Sequence, residues 1–173
     1  MKSCSQCGKI KDLSQFYSLT GSDKKRSSCI QCHSEARRKT CVSCGLSFLP
    51  NGSHASRCSD CYPTHRQAQT LFYAAQHRAI KKGLIFDLDA DWIAEQLKRP
   101  CPRTGVEFRL LEASSGYGDR GPFGPSLDKI DPHGGYTKNN VQVVCWWYNV
   151  AKQRFTDQEV INLCTMVVKT AAL

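Results

Sequence analysis

The stretch that decides the fold spans residues 126–152 and reads SLDKIDPHGGYTKNNVQVVCWWYNVAK. Apolar and polar residues alternate at its start, and a turn cluster rich in Pro and Gly follows. A β-branched run then leads into a segment with helical character. We therefore predict two strands that pair as a hairpin across residues 132–140, with a helix packed beneath them.

Two oxygen-bearing side chains meet in this predicted arrangement. Asp128 lies on the first strand and Asn149 in the first turns of the helix, so the two can face one another. Both offer oxygen ligands that suit a hard cation such as Mg²⁺ or Mn²⁺. The pattern predicts one divalent metal site where strand and helix meet.

The same stretch resembles the HNH, or ββα-metal, nucleases, especially phage and bacterial members that read SLDxIDxxxGYTxxNVxxVxxxxNxxK. The matching residues are Ser126, Leu127, Asp128, Ile130, Asp131, Gly135, Tyr136, Thr137, Asn140, Val141, Val144, Asn149 and Lys152. In that family the aspartate and the last Asn or His hold one divalent metal, which the resemblance places on Asp128 and Asn149. The middle Asn ties the loop to its own backbone, so Asn140 is expected to be structural. The resemblance implies a metal-dependent DNA endonuclease that makes nicks or double-strand breaks.

The general base is the motif position that departs from the family. The residue after the metal-binding aspartate is there a His that takes a proton from water, and here it is Lys129. A lysine is protonated at neutral pH and accepts no proton without a large pKa depression. We rank His133 first as base and Asp131 second, and assign Lys129 to a phosphate contact. The alternative is an exposed Lys129–Asp131 ion pair, with His133 only a turn residue.

Composition sets the broad class. The chain has 173 residues, 40% hydrophobic residues and a formal charge of +9, which favours a polyanionic partner such as nucleic acid. No apolar run approaches the roughly 20 residues that span a bilayer, and the N-terminus lacks the apolar region of a signal peptide. Eleven cysteines, eight of them in CxxC pairs, indicate metal binding rather than disulfides. We expect a cytoplasmic protein of a bacterium or a phage-infected host, with no membrane partner.

Two cysteine modules open the chain and form a degenerate repeat. Each starts with CxxCG and closes with CxxC, and a tight CxxC turn places two sulfurs on one ion. We assign one structural Zn²⁺ to each module, with Cys4, Cys7, Cys29 and Cys32 in the first and Cys41, Cys44, Cys58 and Cys61 in the second. The alternative is a cross-braced arrangement in which the first CxxC pairs of both modules share an ion. The zinc replaces an apolar core, because such modules bury little surface.

The positive charge is concentrated in this region. The first 65 residues carry ten basic and four acidic residues. The candidate DNA contacts are Lys24, Lys25, Arg26, Arg37, Arg38 and Lys39, together with Lys152 and Arg154 of the motif stretch. Solvated charged faces are the alternative for the short basic runs.

The intervening sequence predicts connecting elements. We expect a long helix over residues 66–82, a strand over 84–88, a helix from Asp89 to about Lys98, a hairpin over 99–109 and a loop over 114–124 that carries Arg120 as a candidate phosphate contact. Cys101 and Cys145 stand where zinc-containing relatives have CxxC pairs, and we expect two buried thiols that approach each other. A capping box at Thr156 and Glu159 starts a last helix whose apolar stripe, Val160, Leu163, Cys164 and Val167, is expected to pack.

Together these features predict an α+β protein, with tandem zinc ribbons over residues 1–65 and a ββα-metal (HNH) nuclease domain with flanking helices over 66–173. Its expected partners are DNA and either a second copy of the chain or a phage or host protein. A competing interpretation is a zinc-ribbon module that binds nucleic acid or protein on a catalytically weakened HNH scaffold. An adaptor for a large machine is a third interpretation.

Overall fold

The computed structural model describes residues 1–52, 55–110 and 121–171. It divides into two compact units, Met1–Cys61 and Tyr62–Leu173. Short strands and helices mix along the chain, so the predicted α+β class is confirmed. Residues 114–120 of the predicted loop, including Arg120, lie outside the described residues. No described helix is both long enough and apolar enough to cross a membrane.

The first unit consists of two small modules of the same design. In the first, β1 (Lys2–Ser3) pairs antiparallel with β2 (Ile10–Lys11), and in the second β3 (Lys39–Thr40) pairs with β4 (Ser47–Phe48). A 3₁₀ turn at Leu13–Gln15 and helix α1 (Ile30–Ala36) complete the first module.

Each ribbon turn depends on the Gly after its first CxxC pair. Gly8 and Gly45 have φ values of 69° and 72°, a region that a Cβ disfavours. Their amides donate to the carbonyls of Cys4 and Cys41, which closes the turn around the first sulfur of each pair. The repeat seen in the sequence is therefore a structural repeat.

The second unit mixes long and short elements. They are α2 (Cys61–Lys82), β5 (Phe86–Asp87), α3 (Ala90–Gln96), β6 (Pro125–Lys129), β7 (Tyr136–Thr137), β8 (Val141–Cys145), α4 (Trp146–Lys152) and α5 (Asp157–Ala171). Helix α2 begins before the predicted residue 66, because Pro63 lies in its first turn, where a missing N–H costs nothing. The predicted domain boundary after residue 65 falls inside this helix.

The predicted ββα unit is present. Strands β6 and β8 pair antiparallel, with Asp128 opposite Gln142 and Lys129 opposite Val141. Helix α4 follows β8 without a gap. The loop between the strands contains β7, which pairs in parallel with β5. This second pairing fixes the loop against the segment that follows α2.

The core of the second unit joins the long helix to the hairpin. The buried face of α2 packs against α3 and against the inward side chains of the hairpin, through Ala68, Leu71, Ala75, Ala79, Ile93, Leu127, Val141 and Val143. A second cluster contains Cys101, Val144, Cys145, Tyr148 and Val160. The Cys145 amide donates to Cys101 Sγ at 3.3 Å, so the two thiols approach each other in the core.

Two predictions about secondary structure and packing are wrong. Residues 99–109 form a turn at Cys101–Gly105 but no strand, since the segment has no partner strand in the described part of the chain. The apolar stripe of α5 does not pack within the chain, because Val160 is its one buried residue within the described helix. Leu163, Cys164 and Val167 are exposed.

Candidate metal centre and nucleic-acid interface

A polar cleft of about 300 Å³ opens between α2 and the ββα unit. Its polar lining includes Arg78 and Lys82 from α2, Asp128 and Lys129 from β6, Asn149 from α4, and Arg154 just beyond α4. One carboxylate and two amides, those of Asn149 and Gln153, thus lie among four cationic side chains. The cleft brings the two predicted metal ligands to one place.

Asp128 is held firmly through one of its two carboxylate oxygens. Its side chain is 3% exposed, and Oδ2 accepts hydrogen bonds from Lys152 Nζ at 2.7 Å and from Gln142 Nε2 at 2.8 Å. Gln142 reaches it because the two residues are directly opposite in the β6–β8 register. The other oxygen, Oδ1, accepts no hydrogen bond from any described residue.

Asn149 is held through its amide nitrogen. Nδ2 donates to Ser126 Oγ at 2.7 Å and to the Leu127 carbonyl at 3.1 Å. A carbonyl can only accept, so this pair of contacts sets which way the amide points. Within the described residues Asn149 Oδ1 receives no donor, and it is therefore available as a ligand.

These two oxygens fit a hard divalent cation. Among the residues that the structure describes, none donates to Asp128 Oδ1 or to Asn149 Oδ1, and both side chains line the same cleft. Mg²⁺ is commonly bound by one or two protein oxygens, with waters and substrate phosphates completing the shell. The donor set and the open cleft suit that mode of binding.

Lys152 does not lie where the sequence analysis expected it. It was predicted to contact DNA, but its side chain is 0% exposed and its Nζ donates to Asp128 Oδ2 and to the Lys129 carbonyl, both at 2.7 Å. A fully buried ammonium cannot reach a phosphate in this structure. We therefore correct its role to that of the counter-charge beneath Asp128.

A polar network behind Asp128 was missed by the sequence analysis. Asp157, at the start of α5, accepts from Tyr148 OH at 2.7 Å and from Gln142 Nε2 at 3.2 Å, and it pairs with Arg103. Burial, and then the bond to Asp157, raise the pKa of Tyr148 well above its ordinary value of 10.0. The signal available in the sequence was Asp157, an acidic residue in the first turn of α5, but its partners are far away along the chain.

The loop residues proposed as bases make structural contacts. Asp131 Oδ1 accepts from the His133 amide at 2.9 Å, and neither residue is among those that line the cleft. Asn140 spans the loop: its Oδ1 accepts from the Asp131 amide at 2.9 Å and its Nδ2 donates to the Gly135 carbonyl at 2.9 Å. Pro132, next to His133, does line the cleft.

Lys129 lines the cleft and acts as a donor. Its Nζ donates to the Pro132 carbonyl and, at 3.0 Å, to the Gly134 carbonyl, and it lies 5.6 Å from the ring centroid of Tyr136. Arg78 Nε donates to the hydroxyl of the same tyrosine at 3.1 Å. Tyr136 thus interacts with two of the cations that line the cleft.

The eight predicted zinc ligands fall into two clusters. Within each cluster the four sulfurs lie within 4.8 Å of one another, and the grouping is sequential: Cys4, Cys7, Cys29 and Cys32, then Cys41, Cys44, Cys58 and Cys61. The cross-braced alternative does not occur. The Cys29 amide lowers the pKa of Cys4 to about 6, and the Cys58 amide lowers that of Cys41 to about 6. The neighbouring sulfurs and burial raise the pKa of Cys32 to about 12, and burial and the neighbouring sulfurs raise the pKa of Cys61 to about 12, so the four thiols of each cluster do not ionise alike without a metal. Four sulfurs gathered in this way suit a tetrahedral Zn²⁺, which binds cysteines as thiolates.

The basic residues predicted to contact DNA in the first unit are at its surface. Lys24, Arg26, Arg37, Arg38 and Lys39 are exposed, and Lys25 is half-buried with its Nζ 2.9 Å from Ser18 Oγ. Arg154 is also exposed and lines the cleft. Their accessibility leaves both alternatives, a DNA contact and a solvated face, open to experiment.

The fold and the clusters together define the architecture of the chain: two Cys4 modules followed by a domain that contains a ββα unit. No protein-family profile and no curated protein sequence matches the chain. A solved structure similar to it is that of the rare-cutting HNH restriction endonuclease PacI, at 16% identity and a TM-score of 0.41, over 98% of this chain and 95% of that one.

Proposed function

We propose that this protein is a metal-dependent endonuclease that hydrolyses phosphodiester bonds in DNA. The observation that carries the proposal is the pair of oxygens without donors, on Asp128 and Asn149, in a cleft walled by cations. A polyanionic substrate fits that wall, and the formal charge of +9 favours its approach.

A bound divalent cation such as Mg²⁺ or Mn²⁺ would stabilise the charge that develops on the scissile phosphate and the leaving oxygen. Asp128 and Asn149 would hold that cation. Arg78, Lys129 and Arg154 would neutralise the phosphates next to the scissile one.

For the general base we keep His133 ahead of Asp131. His133 is exposed, follows a residue that lines the cleft, and has an imidazole suited to accept a proton near neutral pH. One oxygen of the Asp131 carboxylate, Oδ1, already accepts from the His133 amide. Lys129 lines the cleft and spends two of its three donors on backbone carbonyls, so one donor is left for a phosphate contact.

The two Cys4 clusters would each hold a structural Zn²⁺. The exposed basic residues of the first unit, Lys24, Arg26, Arg37, Arg38 and Lys39, together with the half-buried Lys25, would contact the DNA backbone. The cytoplasm of a bacterium or of a phage-infected host is the compartment that suits reduced thiols and a DNA substrate.

The test is cleavage of supercoiled plasmid with Mg²⁺ or Mn²⁺. Asp128→Ala alone leaves the buried Lys152 with only the more distant Asp157, at 3.8 Å, as a counter-charge, so the variants are Asn149→Ala and the double change Asp128→Ala with Lys152→Met. Asn139→Ala, an exposed change in the same loop, is the matched control. We expect cleavage by the wild type and the control, and a loss of at least about a hundredfold in the two site variants.

Binding of Mn²⁺ in the absence of DNA gives an independent reading of the site. Wild type and Asn139→Ala should bind one Mn²⁺ beyond the zinc, and Asn149→Ala should bind it more weakly. Activity that survives both site variants would contradict the proposal. If His133→Ala cleaves normally while Asp131→Ala does not, our order for the base is reversed.

The competing function is a binding module on a weakened HNH scaffold. It is favoured by Lys129 in the position of the family's base and by the engagement of Asp128 Oδ2 with Lys152. A wild type that binds DNA and zinc with an intact fold, yet cleaves neither plasmid, single-stranded nor branched DNA, would establish this alternative.

A further inference from the structure

Gln142 contacts the candidate metal centre without lining the cleft. It lies opposite Asp128 in the β6–β8 register, and its Nε2 donates to Asp128 Oδ2 at 2.8 Å. The same nitrogen lies 3.2 Å from each carboxylate oxygen of Asp157. One side-chain amide therefore connects a candidate metal ligand on β6 with a carboxylate at the start of α5.

The partners of Gln142 fix which end of its amide faces Asp128. Arg103 Nε donates to Gln142 Oε1 at 2.8 Å, and a guanidinium can only donate. An ionised carboxylate can only accept, so Asp128 and Asp157 both select the nitrogen end of the amide. The three partners thus favour a single orientation of this side chain.

The donors that reach Asp128 are confined to one of its oxygens. Gln142 and Lys152 both donate to Oδ2, and no described residue donates to Oδ1. The carboxylate torsion of an aspartate is soft, so its neighbours decide how the group is rotated. The Lys152 ammonium is a compact charge with rotatable donors, whereas the Gln142 amide donates in a fixed direction. Gln142 is therefore the partner that holds the rotation in which Oδ1 stays unoccupied.

We propose that Gln142 is a positioning residue of the metal site, which keeps Asp128 Oδ1 available to the cation and thereby sets the affinity for it. The inference rests on the proposed function in taking Asp128 as a metal ligand. Partners that hydrogen-bond to a ligating carboxylate typically contribute about 10- to 100-fold to metal affinity. Gln142 has that relation to Asp128.

Gln142→Met isolates this role, because it removes the amide without leaving a charge unpaired. Asp128 keeps its ion pair with Lys152 at 2.7 Å. Asp157 keeps its ion pair with Arg103 at 2.5 Å. Methionine is unbranched and adaptable, which suits the half-buried position of Gln142. We therefore expect the variant to fold, which circular dichroism and zinc content verify.

Titration of the full zinc-loaded chain with Mn²⁺, followed by the paramagnetic resonance of the free ion, tests the proposal without DNA. The control is Tyr148→Phe, because the Tyr148 hydroxyl donates to Asp157 in the same network and not to Asp128. We expect one Mn²⁺ site beyond the zinc in the wild type and the control, and a dissociation constant raised by about 10- to 100-fold in Gln142→Met. An unchanged affinity in Gln142→Met, or an equal loss in Tyr148→Phe, would overturn the proposal.

Plasmid cleavage as a function of Mn²⁺ concentration separates positioning from a general structural role. Gln142→Met should need about 10- to 100-fold more Mn²⁺ for half-maximal cleavage and should approach the wild-type rate at saturation, because both candidate ligands are intact. A loss of rate that excess Mn²⁺ does not restore would overturn the assignment of Gln142 as a positioning residue.

The two experiments also separate this inference from the proposed nuclease activity. A wild type that binds Mn²⁺, with the expected loss of affinity in Gln142→Met, yet cleaves no DNA would support the role of Gln142 and reject the nuclease. A wild type that binds no Mn²⁺ beyond the zinc would overturn both.

Discussion

At the residue scale, the centre of the cleft is a buried charge pair rather than a lone carboxylate. Asp128 and Lys152 are 3% and 0% exposed, and Gln142 and Asp157 complete the network. Removing one member of such a pair strongly destabilises the folded state, because the remaining charge stays buried without its partner. Lys152 therefore stabilises the position of a candidate metal ligand.

Replacing Lys152 alone should be strongly destabilising. We expect Lys152→Met to lower the free energy of unfolding by about 3–5 kcal/mol, and the double change with Asp128→Ala to cost less than the single change. Lys138→Met is the control: it breaks a pair with Asp89 whose side chains are 42% and 53% exposed, and should cost under about 1 kcal/mol. Urea unfolding followed by tryptophan fluorescence measures all three variants. Equal costs for Lys152→Met and Lys138→Met would contradict this account.

Tyr148 should titrate abnormally late. Its pKa is raised by burial and by Asp157, so the folded state keeps its proton when the unfolded chain has lost it. The stabilisation is fully present below pH 10, the ordinary pKa, and is lost as the pH rises further. Ultraviolet absorbance of the six tyrosines should show one group that ionises late or only on unfolding, absent in Tyr148→Phe. A wild-type titration identical to that of Tyr148→Phe would refute the assignment.

At the element scale, the hairpin loop is positioned by a second strand pairing. The Tyr136 amide donates to the Ile85 carbonyl at 2.8 Å, and β7 pairs with β5 beyond it. Gly135 permits this close approach, since a Cβ there would lie 2.5 Å from the Ile85 carbonyl oxygen. The close packing against Ile85 therefore explains why a glycine stands at this motif position, and the residues next to it in the sequence do not indicate that contact.

Gly135→Ala should therefore separate β7 from β5. We expect a loss of about 1–3 kcal/mol in the free energy of unfolding, because a backbone carbonyl must move to make room. Asn139→Ala, exposed in the same loop, should have little effect. Chemical unfolding monitored by tryptophan fluorescence gives both values. A neutral Gly135→Ala would show that the loop moves freely relative to β5.

At the scale of the whole molecule, the two units are stabilised by different means. The first unit has a small core of Phe16, Cys4 and Cys29, with Cys32 beside it, and relies on its thiolate clusters. The second unit has an extended apolar core built on α2 and the hairpin. All three tryptophans, Trp92, Trp146 and Trp147, lie in the second unit, so their fluorescence reports on that unit alone.

Removal of zinc should unfold only the first unit. We expect two Zn²⁺ per chain by elemental analysis, each contributing about 10–16 kcal/mol of binding free energy to a folded module. A strong chelator should abolish amide protection within residues 1–61 while the tryptophan fluorescence and its cooperative unfolding remain. Loss of both signals together would show that the second unit depends on zinc as well.

The sequence by itself determined the features whose signals are local. The ββα order, the two sequential cysteine modules and the α2 helix follow from turn residues, CxxC spacing and periodicity, all of which act within a few residues. The sequence also named Asp128 and Asn149, because a motif fixes their relative positions.

Only the tertiary structure decided which charged side chains are buried and which apolar helix faces remain exposed to solvent. The sequence alone predicts a surface position for Lys152, whereas the fold buries it beside Asp128. Arg103 and Asp157 form an ion pair only because elements that are distant along the chain pack together. The stripe of α5 has the spacing of a packed helix, yet Val160 is its one buried member among the described residues. Burial is a property of the assembled fold, so periodicity predicts which face is apolar but not what covers it.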